Sequence, residues 1–233
     1  MDYFSSDNYS RGNNLNRFLA KTYGLMCLAV FISAVTASLV MNVYADQFSA
    51  FISNSRWGIW LIILLPIALT FIISFDATRN PLLSLVLLAI TAIVYGITFS
   101  FIAEAYTDAN IATAFISAAG VFLTMSLIGT FSSRDFTRLG AYASAALIGL
   151  VIAMIINWFF RNPAVDYLLS FIAVGIFTAL TAWDARQMKN IFFRYGSSQQ
   201  VAGLAIVGTL QLYLDFVNLF ANFLTIFSFG DDR

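Results

Sequence analysis

The chain has 233 residues, 60% of them apolar and only 10% charged, with a mean hydropathy of +0.83. A water-soluble domain needs about 25% charged residues to cover its surface, so this composition points to lipid as the surroundings. Zero net charge and the complete absence of histidine exclude a nucleic-acid partner, His-based zinc sites, Ser-His or Cys-His catalysis and an imidazole pH switch, leaving proton chemistry to carboxylates.

In chain order, the first sixteen residues are polar, rich in Ser, Asn and Asp, and read as a disordered tail (1–16) ahead of a transmembrane domain (17–233). Uncharged stretches then run over Thr22–Ala45, Trp57–Phe75, Asn80–Ala103, Ala109–Ser133, Leu139–Phe160 and Tyr167–Trp183. A last one, Tyr195–Gly230, is broken only by Asp215. Each is close to the roughly 20 residues a helix needs to cross the hydrocarbon, and none alternates as a barrel strand would. The first is too long for the roughly 7–15-residue core of a signal peptide and reads as a retained helix. The expected fold class is therefore an all-α membrane protein, a bundle of seven transmembrane helices in one domain. Cys27, in helix one, is the only cysteine, so no intrachain disulfide forms.

Small residues at i, i+4 spacing mark candidate packing surfaces: Ala114/Ala118 on helix four, and Gly140/Ser144, Ala141/Ala145 and Ala145/Gly149 on helix five. Gly96 and Gly175 are further places where a neighbour could come close. Nine basic residues (Arg11, Arg17, Lys21, Arg79, Arg134, Arg138, Arg186, Lys189, Arg194) fall on one side of the expected topology, against Arg56, Arg161 and Arg233 on the other. This asymmetry puts the N-terminus in the cytoplasm.

Two carboxylates remain once loop charges are set aside. Asp215 lies well inside the last apolar run, where an ionised Asp in lipid costs about 2.5–3.5 kcal/mol; Asp184 ends helix six. If helices six and seven form a hairpin turning near Gly196-Ser197-Ser198, the acids lie about twelve residues before the turn and about seventeen after it, several ångströms apart in depth. In contact, two carboxylates share a proton and titrate as a pair, and deprotonated they are hard ligands suited to Ca²⁺. The alternatives are an ion pair of Asp184 with Arg186 or Lys189, and hydrogen bonds of Asp215 to Gln211, Asn218 or hydroxyls of another helix.

The segments around these acids, Leu212-Tyr-Leu-Asp-Phe-Val-Asn-Leu-Phe220 and Phe177-Thr-Ala-Leu-Thr-Ala-Trp-Asp-Ala-Arg-Gln187, resemble the last two helices of the Bax-inhibitor family of membrane proteins, in its bacterial form. Lys21-Thr-Tyr-Gly-Leu and Val94-Tyr-Gly-Ile-Thr-Phe fit as well, and the likeness extends from about Arg17 to Phe229. The resemblance implies a bundle with the last helix central, and a pH-sensitive calcium leak channel gated by the acids, here Asp184 and Asp215. It also implies a basic latch near the cytoplasmic end of helix two, for which Arg79 is the candidate. Ca²⁺ is then the transported or bound ion, held by Asp184 and Asp215, and no other cofactor is expected.

The alternative reading is a membrane-embedded regulator that binds another membrane protein, such as a protease or a cell-death factor. An enzyme is not expected: an aspartyl intramembrane protease would use the same two acids, but Trp183 precedes Asp184 where such proteases have Tyr, and the last helix lacks Gly-x-Gly-Asp. A retinal protein is excluded because Lys21 and Lys189 are the only lysines and neither lies in the last helix. Short termini point to a bacterial inner membrane.

Overall fold

The computed structural model describes residues 3–47, 50, 64–66, 68–73, 80–103, 106–132, 134–195 and 199–229. The main helices among them are α1 (Tyr3–Asn42), α2 (Leu64–Ile73), α3 (Pro81–Ala103), α4 (Asp108–Phe131), α5 (Thr137–Phe160), α6 (Pro163–Tyr195) and α7 (Gln199–Ser228). No strand occurs among the described residues. Six of these helices are long and apolar enough to cross a membrane; α2 is shorter where it is described. The chain is an all-helical membrane protein, and its expected apolar stretches are helical over nearly all of their described residues, departing only near their ends. Within α1 the membrane-length part is Asn14–Asn42. The polar segment set apart as a tail continues the same helix from Tyr3, since extending a formed helix adds one hydrogen bond per residue fixed.

The helix ends follow from local chemistry. Pro81 and Pro163 open α3 and α6, where a missing N–H leaves no bond unmade. Thr107 caps α4 by accepting the Asn110 N–H at 3.3 Å. Asp135 Oδ1 accepts the Thr137 N–H at 2.9 Å and the Thr137 hydroxyl at 2.6 Å at the start of α5, and these two bonds hold its carboxyl below the usual aspartate range. Arg161 ends α5 in the left-handed region (φ 51°, ψ 43°), its N–H donating to Asn157 O at 2.6 Å. Along the spans, Thr22, Thr91, Thr178 and Thr181 donate their hydroxyls to the carbonyl four residues back, which satisfies a polar group where lipid offers no partner. Large apolar side chains such as Leu82, Ile116 and Phe160 face outward, as a lipid-exposed surface requires.

The chain forms two compact units. Unit 1 comprises residues 1–105 and 189–213, and unit 2 comprises residues 106–188 and 214–233. In unit 1, α1 and α3 meet at Gly96, where a Cβ would come within 2.6 Å of Ser33 O and of Thr36 Cβ. The buried Ser33 hydroxyl lies 2.7 Å from the Tyr213 hydroxyl and 2.8 Å from Ala92 O, tying α1, α3 and the first half of α7 together. Tyr95 packs edge-on against Tyr213 at 5.6 Å.

Unit 2 gathers α4, α5, most of α6 and the second half of α7. Ala114 and Ala118 form a fully buried face of α4, as their spacing suggests. Phe216 on α7 receives Phe115 and Phe122 of α4 edge-on at 5.5 and 5.9 Å. Of the membrane spans, α7 is the most enclosed: 61% of its apolar span is buried, against 17–33% for the others.

Two outcomes are expected from this packing. Gly96→Ala should lower thermal stability in detergent by about 1–3 kcal/mol, because backbone and Cβ atoms block the added methyl. Gly175→Ala, with nothing within 4 Å, should leave stability unchanged or raise it by up to about 1 kcal/mol. The Asp135 cap has a lowered pKa, so its contribution is present above the ordinary aspartate value of about 3.9 and is lost as pH falls through the lowered one. Hydrogen exchange at the Thr137 amide should accelerate only in that acid range, and at all pH values in Asp135→Ala.

Candidate functional site

Two short contacts set the rotation of α6. The Ala182 carbonyl fills the space a side chain at Gly129 of α4 would need, and the Trp183 indole does the same at Gly140 of α5. With those two residues turned toward α4 and α5, the next one, Asp184, lies on the buried stripe Ala173, Phe177, Thr181, Asp184, Met188. On α7, Asp215 shares a stripe with Leu219 and Asn222 and is followed directly by Phe216, whose ring α4 holds.

The structure brings Asp184 and Asp215 together. Both are buried, at 6% and 4% exposure, and their side chains hydrogen-bond to each other. The remaining oxygens, Asp184 Oδ1 and Asp215 Oδ2, have no hydrogen-bond partner among the described residues. A hydrogen bond between two carboxyl groups requires a proton on one of them, since two carboxylates have acceptors only.

Arg186 and Asn218, offered by sequence as other partners, bond elsewhere, as does the nearby Thr181 hydroxyl. Arg186 Nη1 donates to Ser132 O at 2.7 Å, placing a cation on a carbonyl at the C-terminal end of α4. Asn218 Nδ2 donates to Leu214 O at 2.8 Å, and Thr181 Oγ1 to Phe177 O at 2.7 Å, each within its own helix. Arg79 lies outside the described residues. No group of three or more His, Cys, Asp or Glu occurs among the described residues, so a Ca²⁺ at the pair would complete its shell with water and neutral oxygens.

Sequence reasoning missed the part played by Gly129. Its buried neighbours Ala114, Ala118 and Phe122 on one face of α4 were the available signal. It also missed a polar group at the far end of unit 2. There Asn157 Nδ2 donates to Asn162 O at 3.1 Å and to Asp166 Oδ1, beside a cavity of about 570 Å³. Asn218, Asn222 and Thr225, following Asp215 at helical spacing, were the trace of it in the sequence.

A bundle of apolar helices enclosing one carboxyl pair defines a class, polytopic membrane proteins with a buried acid site. The profile of the family described as "Inhibitor of apoptosis-promoting Bax1" matches residues 15–232. An uncharacterized membrane protein of Streptococcus pyogenes serotype M3 is 35% identical over 217 residues, covering 93% of this chain and 94% of its own. Uncharacterized proteins of Rickettsia prowazekii (32% identical, 93% and 91% covered) and Lactococcus lactis (30%, 93% and 92%) match along similar lengths. The chain belongs to this Bax-inhibitor family.

If Asp184 is the partner of Asp215, removing it leaves a buried carboxyl alone. Asp184→Ala should therefore lower thermal stability by about 1–3 kcal/mol, whereas Asp184→Asn, which keeps a donor and an acceptor, should retain most of it. Melting of the purified variants in detergent, followed by circular dichroism, reads the difference.

Proposed function

We propose that this protein is a pH-sensitive calcium leak channel gated by Asp184 and Asp215. The observation that carries the reading is the contact of two buried carboxyl groups with one oxygen each left unpartnered. While a proton is shared, the pair holds α6 to α7. When it leaves, two like charges face each other in an apolar setting, and their repulsion is relieved by separation, water and a cation. Oxygen donors without sulfur or nitrogen suit Ca²⁺. Arg79 would act as the latch of the closed state. The excess of basic residues on the N-terminal side supports a cytoplasmic N-terminus, and the bacterial relatives support an inner membrane.

Purified protein in dye-loaded liposomes provides the test. Calcium flux should rise with pH between about 6 and 8, by up to ~10-fold per unit for a one-proton gate. Asp215→Asn, which cannot ionise, should lose that dependence. Equal flux from wild type and Asp215→Asn across the range would sink the reading. A second reading, a regulator of another membrane protein, is favoured by the family description itself, which names inhibition of a protein partner. A stoichiometric partner crosslinked in native membranes and retained by both Asp→Asn variants would support it instead.

A further inference from the structure

We propose that the cavity of unit 2 beside the α5–α6 connection is a water-filled vestibule, which admits hydrated cations to the face of α7 that carries Asp215. This rests on the channel reading for the cation but on separate residues for the site. The cavity holds about 570 Å³, and Asn157, Arg161, Asp166, Ser170, Asn222 and Thr225 supply its polar lining. At roughly 30 Å³ per molecule, that is space for ten or more waters.

Three of these side chains, Asn157, Ser170 and Asn222, are more than nine-tenths buried, although they lie in membrane-length helices. Polar groups at such positions are tolerated where they pair with one another or line water. The Asn157 amide is oriented by Asp166 Oδ1 and Asn162 O, which take its donor side. Its carbonyl oxygen is left as an acceptor.

On α7, Asn218, Asn222 and Thr225 follow Asp215 at i+3, i+7 and i+10, all within about 80° of its direction around the helix. Asn222 Nδ2 donates to Asn218 O and Asn218 Nδ2 to Leu214 O, both at 2.8 Å. Each amide thus gives one N–H to its helix and keeps its carbonyl oxygen for a passing ligand. The result is a stripe of oxygens running from the cavity toward the buried acid. Neutral oxygens of this kind replace part of a hydration shell without holding the ion, which is what passage requires. Arg161 and Asp166 offset each other in charge; Asp166 bonds to Asn157 with its side chain, and Arg161 with its backbone N–H.

Cysteine labelling tests this without measuring flux. In a Cys27→Ser background, Asn222→Cys and Thr225→Cys are placed in sealed vesicles and exposed to a membrane-impermeant trimethylammonium methanethiosulfonate. Ile155→Cys, on the lipid-exposed side of α5, is the comparison. Both vestibule positions should react from the side opposite the N-terminus, at least ~10-fold faster than Ile155→Cys, because only a hydrated thiol ionises and attacks. Added Ca²⁺ should slow the reaction, and the cationic reagent should outpace its sulfonate counterpart. Failure of both positions to react, reaction only after lipid is stripped by detergent, or equal reaction at Ile155→Cys would overturn the vestibule. Labelling as expected in a protein that passes no calcium would uphold the vestibule and defeat the channel reading.

Discussion

Two carboxyl groups can share one proton inside an apolar bundle, but they cannot comfortably hold two charges there. The contact between Asp184 and Asp215 sets that condition on unit 2. The contacts that seat α6 and α7 beside their neighbours hold the acids in place: the Ala182 carbonyl against Gly129 and the Trp183 indole against Gly140 for α6, and Phe216 held between Phe115 and Phe122 for α7.

The two helices bring the acids together although they are not level by residue count. Asp184 lies about eleven residues before the end of α6 and Asp215 about sixteen after the start of α7, a mismatch of roughly 7 Å at 1.5 Å per residue. Side chains on a helix lean toward its N-terminus. On antiparallel helices Asp184 therefore leans away from the turn and Asp215 toward it, so each reaches for the other. This tilt closes a gap that counting along the axis leaves open.

Much of this is legible in the sequence because charges are so scarce. Sparse charged residues mark both ends of α3, α4 and α5 and the start of α6 to within a few residues, and Asp215 stands out as the one charge in the last apolar run. The end of α6 is misread this way, since the helix continues past Asp184 to Tyr195 with its charges on the helix itself. Harder to read are contacts that depend on rotation about a helix axis. Gly140 stands out by its spacing to Ser144, yet it matters because Trp183 lies across it. Gly149, which shares the pattern, meets nothing within 4 Å. Arg186 looks like an ion partner for Asp184 from two residues away, but neighbours on a helix point in different directions, and its guanidinium reaches Ser132 O instead. The Asn157–Asp166 bond itself is not legible, because it joins residues on either side of a helix connection whose path sequence does not reveal; only the α7 side of that cluster leaves a trace, in the spacing of Asn222 and Thr225 from Asp215.

The most direct measurement of the shared proton is infrared difference spectroscopy of the protein in lipid through a pH titration. A shared proton predicts a protonated-carboxyl C=O band that titrates in two coupled steps, and a changed band and course of titration in both Asp184→Asn and Asp215→Asn. Two independent single-step titrations, each untouched by replacing the other residue, would contradict it.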